Sequence, residues 1–137
     1  MPQRVLIVDD HEDSLAIFSE ALTGAGYGVI TAKDGEEALR KTLKLRPDLV
    51  LLDLILPRID GFAVCDTLKF SSSFRSIPVL MMSAWTDSHS ILEKKSLRAG
   101  AEELLMKPIE PTDLITKVRK YLSKDPLPLP AGQPFSP

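Results

Sequence analysis

The chain has 137 residues, 44% of them hydrophobic and 26% charged, and a formal net charge of -2. This length and balance fit one domain with its own apolar core, and the slight acidity argues against nucleic acid as the main partner. A single cysteine, Cys65, excludes an internal disulfide framework, and no apolar run is long enough to span a bilayer.

The first apolar run, Val5–Val8, is unbroken and reads as a strand covered on both faces. Asp9 and Asp10 close it, and Leu15, Phe18, Leu22 and Ala25 then recur at helical spacing. Gly24, Gly26 and Gly28 break that helix, and Gly28–Thr31 reads as a second strand. Asp34 is placed to cap a second helix, with Glu37 three residues on, and Pro47 stops continuation past Leu45. Leu49–Leu52 is a third strand, ending at Asp53. A loop with Pro57 and Gly61 leads to a third helix carrying Phe62, Cys65 and Leu68, with Cys65 on its inner face, and Ser71–Ser73 form a polar break. Pro78–Met82 is the fourth strand, with proline allowed at its first position. Asp87 or Ser88 starts a fourth helix ending at Gly100, Glu103–Met106 is a fifth strand, and Thr112–Leu122 is a final helix. In that helix Leu114, Ile115, Val118 and Leu122 face inward.

Five strands alternating with five helices imply an α/β domain, an all-parallel sheet with helices on both faces. The domain is expected to span residues 1–124. Residues 125–137 carry five prolines and are expected to form a disordered or polyproline-II tail. No signal-peptide pattern precedes the first strand, so a cytoplasmic protein without membrane insertion is expected.

In an open parallel sheet, ligands bind beyond the carboxyl ends of the strands. The residues ending the apolar runs should therefore meet: Asp9 and Asp10 after strand one, Asp53 after strand three, Ser83 after strand four and Lys107 after strand five. Clustered carboxylates repel one another unless a cation joins them, and such an oxygen-rich set suits Mg²⁺, with Mn²⁺ as a substitute. A carboxylate can act as nucleophile and form an acyl phosphate, so the expected chemistry is phosphoryl transfer onto Asp53. Singly, each residue has a bland reading as a helix cap or a loop lysine, but together they require several coincidences.

The stretch 47–62, with Asp53, Pro57, Asp60 and Gly61, resembles the phosphorylation-site segment of response-regulator receiver domains, of the kind found in chemotaxis receivers. Asp9–Asp10 resembles the acidic pair of that family, Ser83–Ala84 its Thr/Ser-Ala step, and Lys107–Pro108 its Lys-Pro ending of strand five. The resemblance covers residues 4–123 and implies a flavodoxin-like fold with strand order 2-1-3-4-5. It implies that Asp53 is the phosphoacceptor, and that Asp10, Asp53, the backbone carbonyl of Ile55 and, through water, Asp9 hold Mg²⁺. Ser83 and Lys107 would bind the phosphoryl group, and the bond before Pro108 would be cis.

The implied protein is a phosphorylation-activated switch rather than an enzyme, assisting only its own phosphorylation and dephosphorylation. The implied phosphodonor is a sensor histidine kinase or a histidine phosphotransfer protein. Output would pass by contact with a downstream protein, with no direct nucleic-acid contact, from a monomer or weak dimer. Three alternatives stand beside this reading. One is a receiver cut from a longer response regulator or hybrid kinase, and another is a phosphorylation-independent interaction module. The third is an aspartyl-phosphate hydrolase, which would carry Asp-x-Asp where this chain has Asp53, Leu54 and Ile55.

Two departures bear on the switch. Leu104 stands three residues before Lys107, where the family usually has Tyr or Phe, so the usual aromatic rotation is not expected. The stretch from Ser83 to Gly100 is slightly longer than the family's, and it contains Trp85, read as buried packing or a shield for an acyl phosphate ahead of a partner contact. His11 and His89 are read as solvent-exposed residues near helix starts, Phe70 and Phe74 as loop anchors, and Cys65 as a small core residue.

Overall fold

The apolar runs are too short for buried helices and rich in branched residues, and each becomes a strand. The computed structural model describes residues 2–122, so the expected proline-rich tail lies outside the described residues. In chain order the elements are β1 (Arg4–Val8), α1 (Glu12–Gly24), β2 (Gly28–Ala32), α2 (Gly35–Leu45) and β3 (Leu49–Asp53), followed by α3 (Gly61–Phe70), β4 (Val79–Ala84), α4 (His89–Arg98), β5 (Glu103–Lys107) and α5 (Pro111–Leu122). All paired strands are parallel, in the order β2-β1-β3-β4-β5. The expected α/β fold is therefore the one observed.

Alternating side chains divide the core between the two faces of the sheet. Val5, Ile7, Leu49, Leu51, Leu80 and Met82 pack with Leu15, Phe18 and Leu22 of α1 and with Leu114, Val118 and Leu122 of α5. On the other face Leu6, Val8, Val50, Leu52 and Met81 pack with Ala38 of α2 and with Val64, Cys65 and Leu68 of α3. Each fully buried Leu contributes roughly 1.5–3 kcal/mol of burial, so Leu22→Ala should cost about 2–5 kcal/mol. Cys65 is a core residue as expected, and burial pushes its thiol up to about 11, leaving it inert at neutral pH.

Local chemistry sets the helix ends. The Asp34 carboxylate accepts the Glu37 N–H at 2.7 Å, and the Glu37 carboxylate accepts the Lys33 N–H at 2.8 Å. Asp60 caps α3 by accepting the Ala63 N–H at 2.9 Å. Pro111 opens α5, where its missing N–H costs nothing. The fourth helix ends at Arg98, before the expected Gly100, whose φ of 101° leaves the helical region. Phe74 is buried beneath the Arg46 guanidinium and does anchor its loop, whereas Phe70 is exposed and anchors nothing. Phe70 is the last residue of α3, where the chain turns away from the core.

Candidate functional site

The chain leaves β1 towards β2 on one side and later returns as β3 on the other, so strand order reverses between β1 and β3. Their carboxyl ends form the crevice where this architecture binds ligands. Asp9, just past β1, is held in place by its N–H bond to Ala32 O at 3.1 Å, and its residue is 0% exposed. Asp53 is the last residue of β3 and is also buried. Its Oδ1 accepts the Ile55 N–H at 3.1 Å, while Leu54 N–H bonds to Met82 O at 2.9 Å. The following loop doubles back so closely that a Cβ at Gly61 would lie 2.4 Å from Asp53 O. Glycine at that position lets the loop pass against the end of the strand.

Lys107, at the end of β5, bridges the two buried carboxylates. Its Nζ lies 2.8 Å from Asp9 Oδ2 and 2.7 Å from Asp53 Oδ2. Burial pulls the ammonium down, but the hydrogen bonds and charges of Asp53 and Asp9 outweigh it and hold Lys107 above its ordinary value. Burial likewise pushes Asp9 up, and here the Lys107 ammonium and the His11 N–H prevail, leaving the carboxyl below its ordinary value. Ligand atoms of Asp9, Asp10, His11 and Asp53 all lie within 4.8 Å of one another. Three carboxylates thus face one ammonium, which leaves a surplus of negative charge. Their hard oxygen donors fit a divalent cation.

His11, the N-cap residue of α1, is a member of this cluster that the sequence reading left out. Its backbone N–H donates to Asp9 Oδ1 at 2.9 Å, and its ring Nδ1 lies 3.1 Å from Asp9 Oδ1 and 3.2 Å from Asp10 Oδ1. The hydrogen bond to Asp9, then the charges of Asp10 and Asp9, raise the imidazole above its ordinary value. The ring is solvent-exposed, as expected, yet it belongs to the site. Direct adjacency to the Asp9–Asp10 pair was the available signal.

The remaining expected residues fall into different places. Ser83 lies inside β4 rather than after it, because pairing of Ala84 with Lys107 extends the strand. Its buried Oγ donates to Ala84 O at 3.0 Å. The Lys107–Pro108 bond is cis. Leu104 is buried in the core cluster shared with α3. Ile55 presents its side chain to solvent.

Trp85 corrects the expectation of buried packing. It is 67% exposed, because it follows directly on Ala84, the exposed last residue of β4. Its ring stacks on His89 with centroids 4.9 Å apart. His89 is correspondingly not the exposed residue expected: the ring is mostly covered, and its Nδ1 is buried without a hydrogen-bond partner.

Among the described residues, no helix is long and apolar enough to cross a membrane. The response regulator receiver domain model matches residues 5–119. The chain is 38% identical over 125 residues to the DNA-binding response regulator MtrA of Mycobacterium tuberculosis, covering 91% of this chain and 53% of that protein. It is 34% identical over 133 residues to the alkaline phosphatase synthesis transcriptional regulatory protein PhoP of Bacillus subtilis, covering 97% and 54%. The chain thus spans about half the length of the curated relatives it matches. A putative response regulator from Chloroflexus aurantiacus superposes with a TM-score of 0.83 at 36% identity, over 90% of this chain and 99% of that one. The chemotaxis response regulator CheY4 of Vibrio cholerae does so with a TM-score of 0.82 at 31% identity, over 88% and 99%. With its sheet order, its acidic crevice and its cis Lys-Pro bond in place, the chain belongs to the response regulator receiver domains of two-component systems.

Proposed function

We propose that Asp53 accepts a phosphoryl group from a sensor histidine kinase or a histidine phosphotransfer protein, and that the acyl phosphate switches a protein-contact surface. One observation carries this reading: Lys107 joins Asp53 to Asp9 in a crevice that also gathers Asp10. An Asp53 oxygen attacks phosphorus, the bond from phosphorus to the donor's imidazole nitrogen breaks, and its electron pair leaves with that nitrogen. Held by Asp10, Asp53 and the Ile55 carbonyl and, through water, by Asp9, Mg²⁺, or Mn²⁺ in its place, would supply neutralisation of the incoming charge. Lys107, already on Asp53 Oδ2, follows the charge onto a phosphoryl oxygen. Ser83 turns its hydroxyl from Ala84 O to the phosphoryl group, drawing β4 and α4 with it. Leu104 fills a buried position without a ring, so the switch runs without an aromatic rotation.

The receiver assists only its own phosphorylation and dephosphorylation, and we place it in the cytoplasm as a monomer or weak dimer. Intact mass after incubation with Mg²⁺ and a small acyl-phosphate donor tests the reading. Wild type should gain one phosphoryl group, and Asp53→Asn or chelator-treated protein should gain none. If no adduct forms and a stable phosphoryl mimic also fails to bind, the chain is a phosphorylation-independent interaction module.

A second reading is favoured by the length of the relatives: this receiver serves in a longer regulator, whose output is carried outside these residues. MtrA is named a DNA-binding regulator, so the absence of nucleic-acid contact is proposed for the receiver alone. The length of the open reading frame separates the two.

A further inference from the structure

The acidic crevice contains a donor of a different kind. His11 Nδ1 lies 3.1 Å from Asp9 Oδ1 and 3.2 Å from Asp10 Oδ1. Donors in adjacent positions on an octahedral ion, each about 2.1 Å from it, lie about 3 Å apart. The imidazole nitrogen is therefore spaced from the Asp10 oxygen as a neighbouring ligand would be, while its contact with Asp9 Oδ1 is a hydrogen bond within the cluster. Lys107 occupies the other oxygen of Asp9, Oδ2, so the His11 side of that carboxylate is not the one the ammonium holds. The ring is 70% exposed, which leaves it free to turn onto an ion without disturbing the core.

Oxygen donors alone suit Mg²⁺, whereas a neutral imidazole favours borderline transition ions such as Zn²⁺. We infer that His11 is a metal ligand of this crevice and shifts its preference from Mg²⁺ towards divalent transition ions, with Zn²⁺ as the representative. The inference rests on the proposed metal-binding role of the acidic cluster and deepens it. The carboxylates supply the charge that draws in any divalent ion, and His11 decides which class is held most tightly.

Titration of tag-free protein with Zn²⁺ and, separately, with Mg²⁺ tests this. His11→Gln should lower the ratio of Zn²⁺ to Mg²⁺ affinity roughly tenfold or more, while His89→Gln leaves that ratio as in wild type. With Cu²⁺ as the probe, the electron spin echo of wild type should carry the modulation of a coordinated imidazole nitrogen, and His11→Gln should lose it. An unchanged ratio with Mg²⁺ still binding would overturn the role of His11 and leave the metal reading intact. Failure of both ions to bind wild type would sink the metal reading and this inference together.

Discussion

Two lysine–carboxylate clusters stand near opposite ends of β5, and they are built on opposite principles. At its start, Glu103 receives Lys117 Nζ at 2.7 Å, Lys120 Nζ at 3.0 Å and the Tyr121 hydroxyl. One carboxylate there has more donors than charges, and every partner comes from α5. At its end, one ammonium, Lys107, is shared between Asp9 and Asp53, with Asp10 close by. The first cluster is satisfied and ties a helix to a strand. The second retains unneutralised negative charge, and a site kept short of cations is suited to receive a divalent metal ion.

Changing single members of the clusters should expose the difference. The largest effect is expected for Lys107→Met, which keeps much of the volume but leaves the buried Asp9 carboxylate without its ammonium. In chelator it should lose about 2 kcal/mol of stability, and saturating Mg²⁺ should restore most of that. Denaturant unfolding with and without the ion checks both halves. Asp10→Asn should move the other way, stabilising the metal-free protein by about 1 kcal/mol while weakening Mg²⁺ binding, because it removes repulsion from a crowded site. If Asp10→Asn destabilised the metal-free protein instead, the surplus of charge would not be the liability described.

Glu103→Gln should cost about 1 kcal/mol or less, as expected for partly solvated ion pairs. Burial raises the Glu103 carboxyl, but Lys117, Tyr121 and Lys120 more than reverse this and bring it from 4.5 to about 2. Because the folded value lies below the unfolded one, the stabilisation is present above pH 4.5 and fades as pH falls towards 2. Wild type and Glu103→Gln should therefore converge in stability across that window. Burial, then the hydrogen bond to Glu103 and its charge, also push Tyr121 up to about 12, so its hydroxyl remains a donor through neutral pH. The smallest effect is expected for Trp85→Ala, a solvent-facing change worth less than about 0.5 kcal/mol in thermal unfolding.

Most of the architecture was legible because unbroken apolar runs at β1, β3 and β4 allow only strands buried on both faces. The crevice was legible too, since the residues that end those runs are carried to one edge by the topology. What periodicity could not supply was the course of side chains and loops after the strands end. It gave no sign that His11 turns back onto Asp9 and Asp10, or that the chain is already exposed at Trp85. Nor could it show that Ser83 spends its hydroxyl on Ala84 O.

The most direct test of the central claim is to locate the phosphoryl group by chemistry. Borohydride reduces an aspartyl phosphate to homoserine, so protein treated with a small acyl-phosphate donor and Mg²⁺ can be reduced, digested and sequenced by tandem mass spectrometry. Homoserine at residue 53, absent when the donor is omitted, is the predicted result. Homoserine at Asp9 or Asp10 with Asp53 intact would contradict the account.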